Sequence, residues 1–175
     1  ASSRKEHPNE NFARELLELD TLGEGNYAEA DVLEVARAFT GWSQHQGRFY
    51  LNEKRRDQDP KRVLGVEGVQ DGDDVVEVLL AQDACALHIA RALITYFEGL
   101  EPTAERLARH AAALRADWRI DSFLRRLFLE PEFYRDEARA SRVSSPLDYL
   151  AGLAYRVGVT PDPQRTFESP RALSR

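Results

Sequence analysis

The sequence holds one cysteine, no methionine, two tryptophans and eight prolines in 175 residues. The single cysteine, Cys85, rules out an intramolecular disulfide, and its place between alanines in an apolar helical stretch reads as a buried free thiol. No run approaches the roughly 18 apolar residues that a membrane-crossing helix needs, so no transmembrane segment is expected. The opening residues, Ala1 to His7, are polar and carry neither an initiator methionine nor an apolar signal segment. They read as the start of a processed or excised piece, which leaves the compartment open. Positive charge is also short: 24 Lys and Arg stand against 30 Asp and Glu, a formal net charge of -6. Such a balance repels nucleic acid unless the cations gather on one face, so no nucleic-acid partner is expected. A Gly-x-Ser-x-Gly elbow, a phosphate loop, a dinucleotide fingerprint and a paired-cysteine metal motif are all missing, so no cofactor-binding residues are assigned. Ser43 near His45 does not make a catalytic dyad, because spacing supplies neither geometry nor a third, orienting group.

What is present is helical patterning. With 42% hydrophobic residues the chain can build a real core. Phe12, Leu16 and Leu19, widened by Ala13 and Leu17, recur at helical spacing from Glu10 to about Thr21, with Asn9 as N-cap and Gly23 as stop. A second helix is expected from about Ala28 to Thr40 on Val32, Val35, Ala36 and Phe39, folding back on the first as a hairpin. Further helices are expected from Asp73 on Val75, Val76 and Leu79, and from Asp83 on Leu87, Ala90, Ile94 and Phe97 up to Gly99. Another is expected with Glu101 as its cap and Pro102 in its first turn, on Leu107, Ala111 and Leu114, then one capped by Asp121 on Phe123, Leu124 and Leu127. Ser145-Pro146 opens the last, carried by Leu147, Leu150, Ala151 and Ala154 to Gly158. Trp42 to Asp71 breaks the pattern, and only Phe49 to Leu51 reads as a short strand or extended strip. The expectation is an all-α fold, an irregular multi-helix bundle with a long irregular excursion between the second and third helices. Residues 1–158 then form a single helical domain or the C-terminal part of a larger one, and 159–175 a flexible tail.

Several stretches occur in a specific order. They are His7-Pro8-Asn9-Glu10-Asn11-Phe12-Ala13-Arg14-Glu15-Leu16-Leu17-Glu18-Leu19, Thr21 to Val32, Ala36-Arg37-Ala38-Phe39-Thr40-Gly41-Trp42, Gly72 to Gln82, Ile89-Ala90-Arg91, Pro131-Glu132-Phe133-Tyr134 and Ser144-Ser145-Pro146. In that order the chain resembles the bacterial family called domain of unknown function 1800. The resemblance implies mainly helical proteins of several hundred residues, often exported, of which this chain is the C-terminal portion; an exported or periplasmic location follows as an expectation. It implies an architecture and no established reaction. Two departures stand out: Asp20 replaces an apolar residue, and Arg55-Arg56-Asp57-Gln58-Asp59-Pro60-Lys61 replaces a commoner His-Asp-x-Gly-x-Lys pattern. Ala28 also replaces a common threonine cap, for which Asn26 with Glu29 offers an alternative capping box.

The candidate chemistry is sparse. Glu10 and Arg14 are spaced to pair on one helix, and Glu15 and Glu18 share a neighbouring face. His7 precedes the first helix and His45 follows the second, so a closed hairpin can bring them near Glu10 as a divalent-metal set of imidazole and carboxylate donors. Asp71, Asp73 and Asp74 form an acidic cluster without calcium-loop spacing, and Asp73 or Asp74 suits a helix cap. Trp42 reads as a seal on the adjacent core. The favoured expectation is a helical interaction or scaffold module that packs against an N-terminal remainder of its own protein or another protein, with Phe49, Tyr50 and Leu51 as contact residues. The competing one is a metal-assisted hydrolase or carbohydrate-active protein using His7, Glu10, His45 and the acidic loop.

Overall fold

The computed structural model describes residues 3–138, 141 and 145–158; the expected tail over 159–175 lies outside them. The first expected helix forms, but in two geometries. Helix α1 spans Glu10–Glu15, capped by the Asn9 side chain accepting from the Phe12 amide, and continues as a π-helical turn over Leu16–Thr21. The widening has a visible partner: the Thr21 hydroxyl donates to the Leu16 carbonyl at 2.6 Å, five residues back, and the Leu22 amide reaches Leu17 O at 2.8 Å. Helix α2, Glu29–Ala38, packs antiparallel to α1 through Val32, Val35 and Ala36, all fully buried.

The stretch between α2 and the third helix corrects the all-α expectation. It folds into two antiparallel hairpins, β1 Trp42–His45 with β2 Arg48–Leu51, and β3 Lys61–Val63 with β4 Val66–Val69. The architecture is therefore mixed, helices carrying two small two-stranded sheets. Both turns place their two central residues at positive φ, Gln46 at 49° and Gly47 at 75°, Leu64 at 49° and Gly65 at 83°. That backbone matches strand twist and favours glycine at the second position. Strands of three or four residues are too short to show a convincing alternation, which is why periodicity alone misses them. The second hairpin is anchored by α2: Asp31 accepts from the Leu64 amide at 2.8 Å and Glu34 from the Arg62 amide at 3.1 Å.

Helix α3, Gly72–Leu80, starts on an Asp71 cap and buries Val75 and Leu79. Helix α4, Asp83–Glu98, ends on Gly99 in the left-handed conformation, as its sequence predicts. Helices α5, Ala104–Asp117, and α6, Ile120–Leu129, complete a three-helix unit with α4 around Ile94, Leu114, Phe123 and Leu127. The core has two clusters, one under α1, α2, β3 and α3 and one between α4, α5 and α6. Ile89 and Trp118 pack against both and join them. Burying each of the large aliphatic and aromatic members contributes roughly 1.5–3 kcal/mol, so the two clusters dominate the stability of the fold. After 3₁₀ turns at Pro131–Tyr134 and Asp136–Ala138 comes α7, Pro146–Arg156, with Ser145 as its cap. No single helix among the described residues is long and apolar enough to cross a membrane.

Several caps fall one or two residues from their expected places. Thr103 rather than Glu101 caps α5, and Asp83 and Asp121 sit just inside their helices, in ion pairs with Arg115 and Arg119. The expected Asn26 and Glu29 box does not form, since Asp31 accepts from the Ala28 amide and Asn26 donates to Leu22 O. Glu29 is taken by Arg14 at 2.6 and 3.0 Å, so the expected pairing of Arg14 with Glu10 gives way to one that ties α1 to α2.

Candidate functional site

Three places on the described residues concentrate polar or exposed apolar groups. The first is the joint between α2 and the hairpins. Lys61 and Val63 lie on the inward side of β3, and the Lys61 side chain has no solvent exposure. Its ammonium donates to Asp57 O at 2.6 Å and Gln70 O at 2.8 Å, with the Asp57 carboxylate 3.9 Å away. Burial lowers its pKa, offset in part by Asp57. Burial raises that of Asp57, but hydrogen bonds from Arg37 and the Asp59 amide outweigh it and hold the carboxyl below its usual range. Arg37 is shared between Asp57 and Glu34, and the Asp57 amide donates to the Thr40 hydroxyl at 2.7 Å. Asp57 and Lys61 keep the spacing of the aspartate and lysine in the His-Asp-x-Gly-x-Lys pattern, from which the stretch otherwise departs. Their bonds fasten the chain after the first hairpin to the second, which is a holding role.

The second place lies among α4, α5 and the end of α6. Glu98, whose side chain is fully buried, receives both terminal nitrogens of Arg106 at 2.6 and 2.8 Å. Arg106 also donates to Glu130 at 3.0 Å, and Glu130 is bonded to Arg109 at 2.9 Å and to His110 Nε2 at 3.0 Å. Burial works to raise the Glu130 pKa, but His110, Arg109 and Arg106 together bring it down to about 2. His110 is itself sealed at 3% exposure and tilted against the Phe123 ring. Its carboxylate partner could orient an imidazole for proton transfer, but the ring has no route to solvent, so the arrangement acts as a cross-brace. The sequence signal for this network is a polar residue in an apolar row: Glu98 continues the Ala90 and Ile94 row, and His110 that of Leu107 and Leu114.

The third place is apolar. Helix α7 is exposed along its length, with only Ala154 half-buried. Leu147, Leu150 and Leu153 are 74%, 61% and 45% exposed, and Tyr149 and Val157 are exposed beside them. A face of this kind on a helix normally lies against a neighbour, and here it is left exposed among the described residues.

The residues singled out from sequence are scattered among these places. His7 lies in an isolated bridge with Arg4 and is exposed, Glu10 is exposed on the first turn of α1, and His45 is exposed at the end of β1 opposite Arg48. Among the described residues no group of three or more His, Cys, Asp and Glu side chains is placed to hold a metal, so these three do not gather into a donor set. Glu15 accepts from Asn11 and Glu18 from Tyr27. Asp71 caps α3 by accepting from the Asp73 and Asp74 amides, and Asp74 accepts from Gln70 N. The strip Phe49, Tyr50 and Leu51 is divided by the strand: register puts Phe49 and Leu51 on the face of Gln44 and Trp42, and Tyr50 opposite Ser43 on the other. Phe49 joins an edge-to-face ladder through Trp42 and Phe39 to Phe12, with ring centroids 4.8 to 5.0 Å apart. Trp42 thus bridges buried Phe39 and exposed Phe49.

An irregular helical protein with two β-hairpins, fastened by buried ion networks, is the class these features define. The chain belongs to the family described as Protein of unknown function (DUF1800), whose model matches residues 1–174. No curated protein and no solved structure matches it. The family carries no biochemical assignment, and the ordered motifs from His7 to Trp42 are those that build α1, the π-helical turn and α2.

Proposed function

We propose that the chain is a helical interaction module whose contact surface is α7, presented to a groove on another polypeptide surface. The observation that carries this reading is the exposure of Leu147, Leu150 and Leu153 on a well-capped helix. At 3.6 residues per turn, the apolar positions from Tyr149 round through Leu153, Val157, Leu150, Ala154 and Leu147 to Ala151 cover an arc of about 200°. An arc that wide needs cover on two sides. It is broader than the seam of a two-stranded coiled coil, and its polar strip holds Asp148 against Arg156 rather than the lysines and arginines of a helix lying on a membrane. Phe49, with Trp42 behind it, offers a second, smaller apolar contact.

The test is binding of an apolar fluorescent dye to the chain diluted until it is monomeric. Dye fluorescence should rise with the wild-type chain and fall when Leu150 and Leu153 are both replaced by Asp, with the helical circular dichroism unchanged. A wild-type chain that binds no dye while monomeric would sink the reading.

A further inference from the structure

The other half of a joint for α7 is present on the same chain. Helices α4 and α5 border a cavity of 510 Å³ lined by Ala86, Leu87, Ala108, Ala111, Ala112 and Ala116. Ala108, Ala112 and Ala116 recur every four residues, forming a row of small exposed side chains into which a ridge of larger ones can seat. Leu87, 38% exposed, forms the opposite wall, and Asp83 paired with Arg115 closes one end. The alanine row is about 12 Å long and the apolar ridge of α7 from Leu147 to Val157 about 15 Å, lengths that match to within one helical turn. In a single copy α7 does not fill this groove, since its leucines and the alanines both face solvent.

We infer that α7 of one copy lies in the α4 and α5 groove of a second copy, and reciprocally, so that the chain forms a two-fold dimer by helix exchange. The inference rests on the reading of α7 as the contact surface and names its partner. Size complementarity supports it: bulky unpartnered leucines on the helix, small unpartnered alanines in the groove. Area supports it too. Each exchanged helix brings roughly 500 Å² of exposed apolar side chain, so the two helices alone remove on the order of 1,000 Å² from water, which with the groove walls added reaches the range of a specific interface. Exchange also makes the interface isologous and closed, which is the commonest way a self-complementary surface assembles.

Disulfide trapping between differently marked chains tests this. Leu150→Cys is made in one preparation and Ala112→Cys in another, the two are mixed and oxidised, and the products are resolved by mass. Both sites are exposed, so folding is undisturbed, and Cys85, fully buried, stays out of the reaction. The expected result is a covalent species containing one chain of each kind, alongside a wild-type chain that sediments as a dimer and becomes at least 10-fold weaker in self-association with Leu150→Asp or with Ala112→Glu. A double variant, L150C with A112C, that closes within one monomer would overturn the inference, because the groove would then take its own helix. So would a wild-type chain that stays monomeric and yields no mixed product. Dye binding by that monomer, lost with the Leu150 and Leu153 changes, would still leave α7 as an interface for a different partner. A chain that neither cross-links nor binds dye removes both readings.

Discussion

Replacing Arg106 by Met should be among the most damaging changes available in the three-helix unit. Arg106 supplies both hydrogen bonds to the Glu98 carboxylate, at 2.6 and 2.8 Å, and that side chain has no exposure to water. Without it, the cation left beside Glu98 among the described residues is Arg135, at 3.5 Å and about one-third exposed. Leaving a buried charge in that condition costs about 3–5 kcal/mol, a large share of the roughly 5–15 kcal/mol that holds a domain folded. Removing both charges is a different perturbation. The double variant Glu98→Met with Arg106→Met replaces a desolvated pair by packing surface, and Glu130 keeps Arg109 and His110. It should therefore recover at least about 2 kcal/mol of the loss, a coupling that pairwise cycles read directly. Urea unfolding followed by far-ultraviolet circular dichroism provides the assay, the midpoint moving with unchanged slope. A single variant that costs under about 1 kcal/mol, or a double variant no more stable than the single, would refute the argument that Glu98 depends on Arg106.

Acid should weaken the same unit. Glu130 has a folded pKa of about 2, below its ordinary 4.5, so its contribution is present in full above about pH 5 and is lost as pH falls toward 2; at about 1.4 kcal/mol per unit it amounts to roughly 3 kcal/mol. Stability measured against pH should show this slope in the wild type and lose it in Glu130→Gln. Gly72→Ala should destabilise by about 1–3 kcal/mol, because its Cβ would fall 2.6 Å from the Phe39 ring and 2.7 Å from that of Trp42; a red-shifted tryptophan emission reports the displaced ring, and an unchanged spectrum and midpoint count against it. Cys85 is fully buried and its thiol is pushed up to about 11 by burial, so a thiol reagent at neutral pH should label it only as fast as the chain opens; labelling independent of added urea would contradict that placement.

The hairpins show where local reading runs out. Gln46-Gly47 and Leu64-Gly65 are turn signals only once the flanking strands are known, and each strand has at most four residues in which to reveal itself. The caps show a milder limit. Capping residue types stand near several helix starts, but Thr103 and Asp71 win the cap over Glu101 and Asp73 because the neighbouring backbone amides point to them, and the helices after Ala28, Gln82 and Arg119 start without a side-chain cap. The candidate metal set failed for a different reason: His7, Glu10 and His45 are close to the ends of the first helical hairpin in sequence, but spacing fixes neither direction nor distance once a β-turn carries His45 outward. Glu98 and His110 interrupt rows of apolar residues in the sequence, a signal that says a polar partner must exist if the row is buried without saying which.

By itself the sequence determined where the helices lie and which family the chain belongs to. Apolar residues three and four apart, bounded by capping side chains and glycines, specify a helix through contacts within a few residues, and the order of the motifs from His7 to Pro146 specifies the family. Tertiary structure decided the rest: that Arg14 pairs with Glu29, that Arg106 bridges Glu98 and Glu130, that Lys61 lies buried between two carbonyls, and that the α7 leucines are left uncovered within one copy. These are choices among partners far apart along the chain. They depend on which faces meet after the helices pack, and no local pattern encodes that meeting.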